Sequence, residues 1–231
     1  SAAAYAVQKQ GVARRQNHEK NRALTSWCNR AQKGEKPFAA TMPLLSFFYT
    51  LFSFGFSMSS IQVRPATLRD AKAIAQIHTV SAQEAYKGLV PDEQLKAMSS
   101  VEKRQAYWRE AIEYCEPQVQ VAVDGEKIVG FVGYDRSRDE KSRPTTGEIW
   151  AIYAAPTHWN QGVGLALWDA ARDGLQEEGC TNVTAWVPLR KERALRFHEL
   201  AGFKRELSTA KTAIIGGVKI EEVRLKRPIN G

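Results

Sequence analysis

The chain has 231 residues, 43% of them hydrophobic and 10% aromatic, with a formal net charge of +8; this suits one domain with an appendage or two small domains, and excludes disorder throughout. The charge is lopsided: residues 1–57 carry 8 Lys/Arg against 2 Asp/Glu, leaving 25 against 23 for the remainder, so a nucleic-acid-binding face is not expected to be the main business of the fold. The cysteines Cys28, Cys115 and Cys180 are odd in number and far apart; they read as neither a zinc site nor a disulfide scaffold and fit a reducing compartment.

Residues 1–42 are polar and basic without an apolar period, and the run from Pro43 to Phe56 is apolar and aromatic. As a helix that run would span about 21 Å, short of a hydrocarbon core of roughly 30 Å. Three explanations compete for residues 1–57: a leader outside the functional domain, such as an extension ahead of a true start at Met58; a membrane-associating segment; or an interaction arm. The leader is preferred, which sets the functional domain at 58–231.

From Ser59 onward the pattern becomes regular. Ile61–Arg64 alternates as a strand closed by Pro65, and Thr67 or Asp70 can cap a helix carrying Ala73, Ile74 and Ile77 at helical spacing. A break at Tyr86–Pro91 and a restart at Asp92 precede a helix predicted over Val101–Tyr114, stopped by Pro117. Val119, Val121 and Val123, the turn Asp124-Gly125 and the return from Ile128 to Tyr134 form a hairpin. A charged loop, 135–144, leads to a more apolar central strand, Glu148–Ala154. A helix over Gly162–Leu175, a strand over Val183–Val187, a helix over Arg193–Ala201 and a closing hairpin, Lys211–Ile215 with Val218–Leu225, complete the order. The expected class is α+β around one mixed sheet.

The chemistry concentrates at Gln161-Gly162-Val163-Gly164-Leu165-Ala166, a glycine turn that opens a helix. Such a turn presents unpaired amides and the positive end of the helix dipole, a cradle for a pyrophosphate. The third glycine of a dinucleotide fingerprint is missing, since Leu167 stands there, and no P-loop Gly-Lys-Ser/Thr is present. On this turn alone, a bare helix start is an equal reading.

The turn nevertheless resembles the signature loop of the Gcn5-related N-acetyltransferase (GNAT) family, Arg/Gln-x-x-Gly-x-Gly/Ala. Gly162 and Gly164 fill the small positions, Gln161 matches the polar residue before the first glycine, and Pro156 matches the strand-ending proline. Trp159 takes the place of the first Arg/Gln. Arg193–Phe203 is similar to the family's Ala-x-x-Phe-Tyr-x-x-x-Gly-Phe helix, with Lys191 at a frequent Asn position and His198 at the tyrosine. Ile61–Asp70 and Ala85–Pro91 resemble the first strand and an acceptor-side loop. The resemblance covers about Ser59 to Arg227.

It implies a GNAT-type mixed, mostly antiparallel central sheet flanked by helices, with acetyl-CoA as cosubstrate and no metal. Ile152 and Ala154 would meet the pantetheine arm, Gln161, Gly162, Val163, Gly164, Leu165 and Ala166 the pyrophosphate, and Lys191, Ala194 and Phe197 would complete the cofactor side. A strand amide of Ile152 or Tyr153 would stabilise the developing oxyanion. Glu148 is either a general base acting through water or a carboxylate paired with a cation. His198 is either the acid for the departing thiolate, with Tyr153 as fallback, or a helix histidine without a task. His78 and His158 read as structural or surface residues. Trp150, Trp159, Trp168 and Trp186 read as core rather than as a cation cage, and Tyr86, Trp108 and the Gly216-Gly217 hairpin are candidates to shape the acceptor pocket.

The expected activity is transfer of acetyl to an amine of a small molecule or peptide by direct attack in a ternary complex, in the cytoplasm. No nucleic-acid or membrane partner is expected, and a homodimer is allowed for. The rival is an acyl-CoA-binding sensor of the same fold with little or no turnover.

Overall fold

The computed structural model describes residues 61–229; the expectations for residues 1–57, Met58 and Cys28 lie outside the described residues. Strand β1 (Gln62–Pro65) leads through a short 3-10 turn at Leu68–Asp70 into helix α1 (Ala71–Tyr86), followed by α2 (Asp92–Ala97) and α3 (Val101–Tyr114). Then come β2 (Gln118–Asp124), β3 (Lys127–Arg136), β4 (Thr146–Ala154), α4 (Val163–Glu177), β5 (Asn182–Pro188), α5 (Glu192–Leu200), β6 (Lys204–Ile215) and β7 (Val218–Pro228).

The entry to α1 is built by the residues the sequence singles out. The Asp70 carboxylate accepts from the Thr67 amide at 2.7 Å and the Thr67 hydroxyl at 3.0 Å, and both its oxygens accept from Arg64 of β1. This reciprocal cap ties the first strand to the first helix.

All seven strands form one sheet in the order β1-β2-β3-β4-β5-β7-β6. Every neighbouring pair is antiparallel except β4–β5, which is parallel. The mixed, mostly antiparallel α+β sheet expected from the sequence is therefore present. Strand alternation sends side chains to two cores. On one face Ile149, Val183, Ala185, Val223 and Leu225 pack with Val163, Leu167, Trp168, Ala171 and Leu175 of α4. On the other, Val119, Val121 and Phe131 pack with Ile74 of α1 and Trp108, Ala111 and Ile112 of α3.

Two features open the middle of the sheet. Parallel pairing of β4 with β5 runs only from Thr146/Asn182 to Ile149/Ala185, whereas β5 continues to Pro188 alongside β7. The register of β3 against β4 also slips between Gly133/Ala151 and Tyr134/Ile149, so that Trp150 is the extra residue of a bulge. A bulge bends the strand that carries it. Residues Trp150–Ala154 thus leave β5, and their outward backbone groups face a gap.

Candidate active site

The N-terminus of α4 lies at the same end of β4 as this gap. Gly130, opposite Ala154 in the β3–β4 register, has no room for a side chain: a Cβ there would come 2.7 Å from Val163 Cγ1 and 2.9 Å from the Tyr153 carbonyl oxygen. The missing side chain lets the first turn of α4 settle onto the sheet. Gly162 caps the helix at φ +83°, a left-handed conformation that glycine tolerates without strain. The Ala166 amide is the first to bond back, to the Gly162 carbonyl at 3.0 Å, so the amides of Val163, Gly164 and Leu165 precede the intrahelical ladder. The structure therefore places Gln161, Gly162, Val163, Gly164, Leu165 and Ala166 in a donor-bearing turn beside the gap.

Gly164 also brings α4 and α5 together, since a Cβ on it would lie 2.9 Å from Phe197 Cε2. Ahead of the turn, Trp159 donates its indole N–H to the Ala154 carbonyl at 3.0 Å and carries the Arg193 guanidinium 3.5 Å above its ring. Ser81 of α1 donates to the same carbonyl at 3.0 Å. Both lone pairs of the Ala154 oxygen are thereby occupied, so this carbonyl is not a group offered to a ligand. Ile152 and Ala194 pack against the α4-side core, next to Phe197.

Across the sheet lies a cavity of about 190 Å³ lined by His78, Ala82, Gln83 and Tyr86 of α1, Leu95 of α2, Met98, Ser99, Arg104 of α3, Tyr153 of β4 and Ile215 of β6. The closing hairpin walls it: at Gly216 a side chain would run into Met98, and Ile215 and Val218 pack with Tyr86, Leu89, Val90 and Leu95. Tyr86 and this hairpin, offered by the sequence as candidates for an acceptor pocket, both border this cavity, and Trp108 contributes from behind by donating to His78 Nδ1 at 3.0 Å.

That bond decides the histidine tautomer. Nδ1 accepts, so the ring proton sits on Nε2. Burial, helped by the nearby cations Arg104 and Lys191, pulls the His78 pKa down to about 3 and keeps the ring neutral. The His78 ring lies 4.8 Å from that of Tyr153, whose hydroxyl keeps its proton because burial raises its pKa. His78 was expected to be structural; it is a lining residue as well.

Lys191 links the two sides. It precedes α5, yet its Nζ lies 3.3 Å from the centroid of the Tyr86 ring. Burial pulls its pKa down to about 7, overriding the attraction of the ring for the cation. The side chain therefore reaches the Tyr86 wall of this cavity.

The two side chains first in line for proton transfer are engaged elsewhere. Glu148 is buried, with its Oε1 accepting from the Arg138 guanidinium and its Oε2 accepting from the Arg138 amide at 2.9 Å. Of the two readings offered by the sequence, the paired carboxylate is the arrangement found. His198 is buried too, its Nδ1–H bonded to the Ala194 carbonyl at 2.8 Å and its ring edge-on to Phe197 and Phe203. Burial lowers its pKa, opposite to what an imidazolium acid requires. Of the tryptophans expected in the core, Trp168 is buried. Trp150, Trp159 and Trp186 are half-buried and carry Arg138, Arg193 and Lys211 over their rings.

Comparison with known proteins agrees with this geometry. The family model described as Acetyltransferase (GNAT) family matches residues 73–203, more than half of the chain, and the chain belongs to that family. It is similar to the Bacillus subtilis (strain 168) protein called uncharacterized N-acetyltransferase YuaI, 27% identical over 169 residues, which cover 73% of this chain and 93% of that relative. In structure it resembles the paia N-acetyltransferase of Thermoplasma acidophilum in complex with coenzyme A, at TM-score 0.57 and 16% identity over 73% of this chain and 99% of the other. It also resembles the yncA protein of Salmonella typhimurium solved with acetyl-CoA, at TM-score 0.57 and 18% identity over 74% and 94%. At these identities the structural likeness concerns the fold.

Proposed function

We propose that the chain is an N-acetyltransferase that moves the acetyl group of acetyl-CoA to an amine by direct attack, with both substrates bound together. The observation that carries the reading is the parting of β4 from β5 directly beside the Gly162–Ala166 turn, with a partly open cavity meeting the same strand at Tyr153. A chain with two entrances to one strand segment can hold a donor and an acceptor side by side, which lowers the entropic barrier to their reaction.

The residues fit coenzyme A: the Val163, Gly164 and Leu165 amides suit a pyrophosphate, the absence of side chains at Gly162 and Gly164 gives oxygens access to the backbone, and the edge of β4 suits an extended amide-bearing arm. Acetyl-CoA supplies the activated acyl group. Lys191 in its neutral form takes the proton from the attacking nitrogen. The Ile152 N–H, on the edge of β4 turned away from β3, faces the negative charge that grows on the carbonyl oxygen as the C–N bond forms. Tyr153, which burial keeps protonated, gives its proton to the sulfur as the C–S bond breaks. Neither Glu148 nor His198 is asked to move a proton.

The paired Glu148 and the buried His198 are what a sensor of the same fold would also show. Lys191 separates the readings, because a sensor has no use for a half-neutral amine between its two sites. The deciding experiment is calorimetric titration of acetyl-CoA into the full chain, followed by thiol release across a panel of amines. Binding with amine-dependent release supports the enzyme; binding with acetyl-CoA left intact by every amine supports the sensor.

A further inference from the structure

The cavity contains a cation with an empty hand. Arg104 Nη1 is buried and has no hydrogen-bond partner in the structure, and burial lowers the guanidinium's pKa. A buried, unpaired donor on a charged group is costly, and native proteins rarely leave one without a role. Three neighbours add donors to the same space. His78 presents its Nε2–H, since Nδ1 is held by Trp108, and the Tyr86 and Tyr153 hydroxyls line the same space. Among the cavity's lining residues there is no Asp or Glu, and the remaining walls are Ala82, Leu95, Met98 and Ile215 together with the neutral amide of Gln83. Ser99 has already spent its hydroxyl proton on the Leu95 carbonyl, at 2.5 Å.

A donor-rich, cationic pocket without a carboxylate and with a mostly apolar remainder is complementary to an anion on a small organic body. Glu222 acts electrostatically on Tyr86 but is paired with Lys211 at 3.5 Å, so it does not supply the missing anion. We propose that the acceptor is a small amine that also carries a carboxylate, and that Arg104, assisted by His78 Nε2–H, binds this carboxylate while the amine points toward Lys191 and the edge of β4. A planar carboxylate matches the guanidinium fork, and its fixed distance from the amine would set how far the nitrogen reaches toward the thioester. Arg104 is in this sense a specificity residue. The proposal rests on the acetyltransferase reading above and narrows its substrate class.

The test measures acetyl-CoA-dependent thiol release by the full chain with each of a set of amino acids, the matching amino acid amides and the matching decarboxylated amines. Where the acid is turned over, kcat/KM for it should exceed that for its amide by roughly 10- to 100-fold, the range for losing a charge-assisted bond inside a site. Arg104→Met should collapse that ratio toward one through KM for the acid, and Arg104→Lys should recover part of it. The Kd for acetyl-CoA should hold within about twofold in both variants, which shows that the fold is intact. Equal turnover of acid and amide, preference for the decarboxylated amine, or an unchanged ratio in Arg104→Met would overturn the carboxylate proposal while leaving the acetyltransferase standing. Absence of release with every amine would remove the acetyltransferase reading, and this proposal with it.

Discussion

Lys191 offers a sharp test of how the acceptor loses its proton. An ordinary lysine, with a pKa near 10.4, is neutral in only about one molecule in 2,500 at pH 7. At the value of about 7 that burial imposes, roughly half of the molecules carry the free amine, about a thousandfold gain in usable base. The groups around it, His78, Tyr86, Tyr153 and Arg104, do not titrate in that window in a way that would mimic it: His78 falls to about 3, both tyrosines are pushed upward, and Arg104 is a guanidinium. The sign follows: below pH 7 Lys191 is protonated and cannot accept, so kcat should fall as pH drops and level off above about pH 8. Lys191→Met should remove this limb and lower kcat by about 10²- to 10⁴-fold, the usual worth of a positioned base. Lys191→Arg, always charged, should not rescue it. The assay is steady-state thiol release at saturating acetyl-CoA and amine from about pH 5.5 to 9, where kcat reports groups in the bound complex. A flat kcat through neutrality, or the same limb in Lys191→Met, would refute the base assignment; a raised Kd for acetyl-CoA with kcat unchanged would return Lys191 to the cofactor side alone.

Gly164→Val should weaken acetyl-CoA at least about tenfold by calorimetry, because side-chain atoms would occupy the approach to the amides, whereas the half-buried Phe197 can yield enough to keep Tm within a few degrees. Gly174→Ala would gain about 1 kcal/mol of helix propensity but drive a methyl into the Tyr134 hydroxyl, which is buried and bonded to Gln120 at 2.9 Å. Overpacking of about 1–3 kcal/mol should win, so thermal melts should show a loss rather than a gain. His198→Phe should lose about 1 kcal/mol with the Ala194 bond and keep kcat within about threefold; a hundredfold drop at unchanged Tm would restore an acid role to His198.

Much of the frame was legible because it depends on local patterns. The helix predicted over Val101–Tyr114 has those limits in the structure, and the Thr67/Asp70 cap and the Gly162 helix entry are set by residues within a few positions of one another. Strand β6 was longer than expected, beginning at Lys204 rather than Lys211. It is an outer strand of the sheet, and with little of it covered no alternation is imposed on its polar first half. Gln118 and Gln120, polar partners of an alternating strand, are buried instead of solvated, because α4 covers the face they occupy and Tyr134 meets their amides.

The Gly162–Ala166 helix entry was readable from spacing, but the cavity beside Tyr153 was not. His78 and Arg104 belong to different helices and meet only once α1 and α3 pack. One faint signal existed: Arg104 lies one helical turn before the buried Trp108, and His78 lies one turn after the buried Ile74, so both continue inward-facing stripes. The state of Glu148 was equally invisible, since the loop 137–145 offers several cations and only the folded loop selects Arg138.

The most direct test of the account is to incubate the full chain with acetyl-CoA and the panel of amines, quantifying acetylated amine by mass spectrometry alongside free thiol. The account requires the two to appear in equal amounts, and to fall together in Lys191→Met. Thiol released without acetylated amine, or bound acetyl-CoA that no amine discharges, would contradict it.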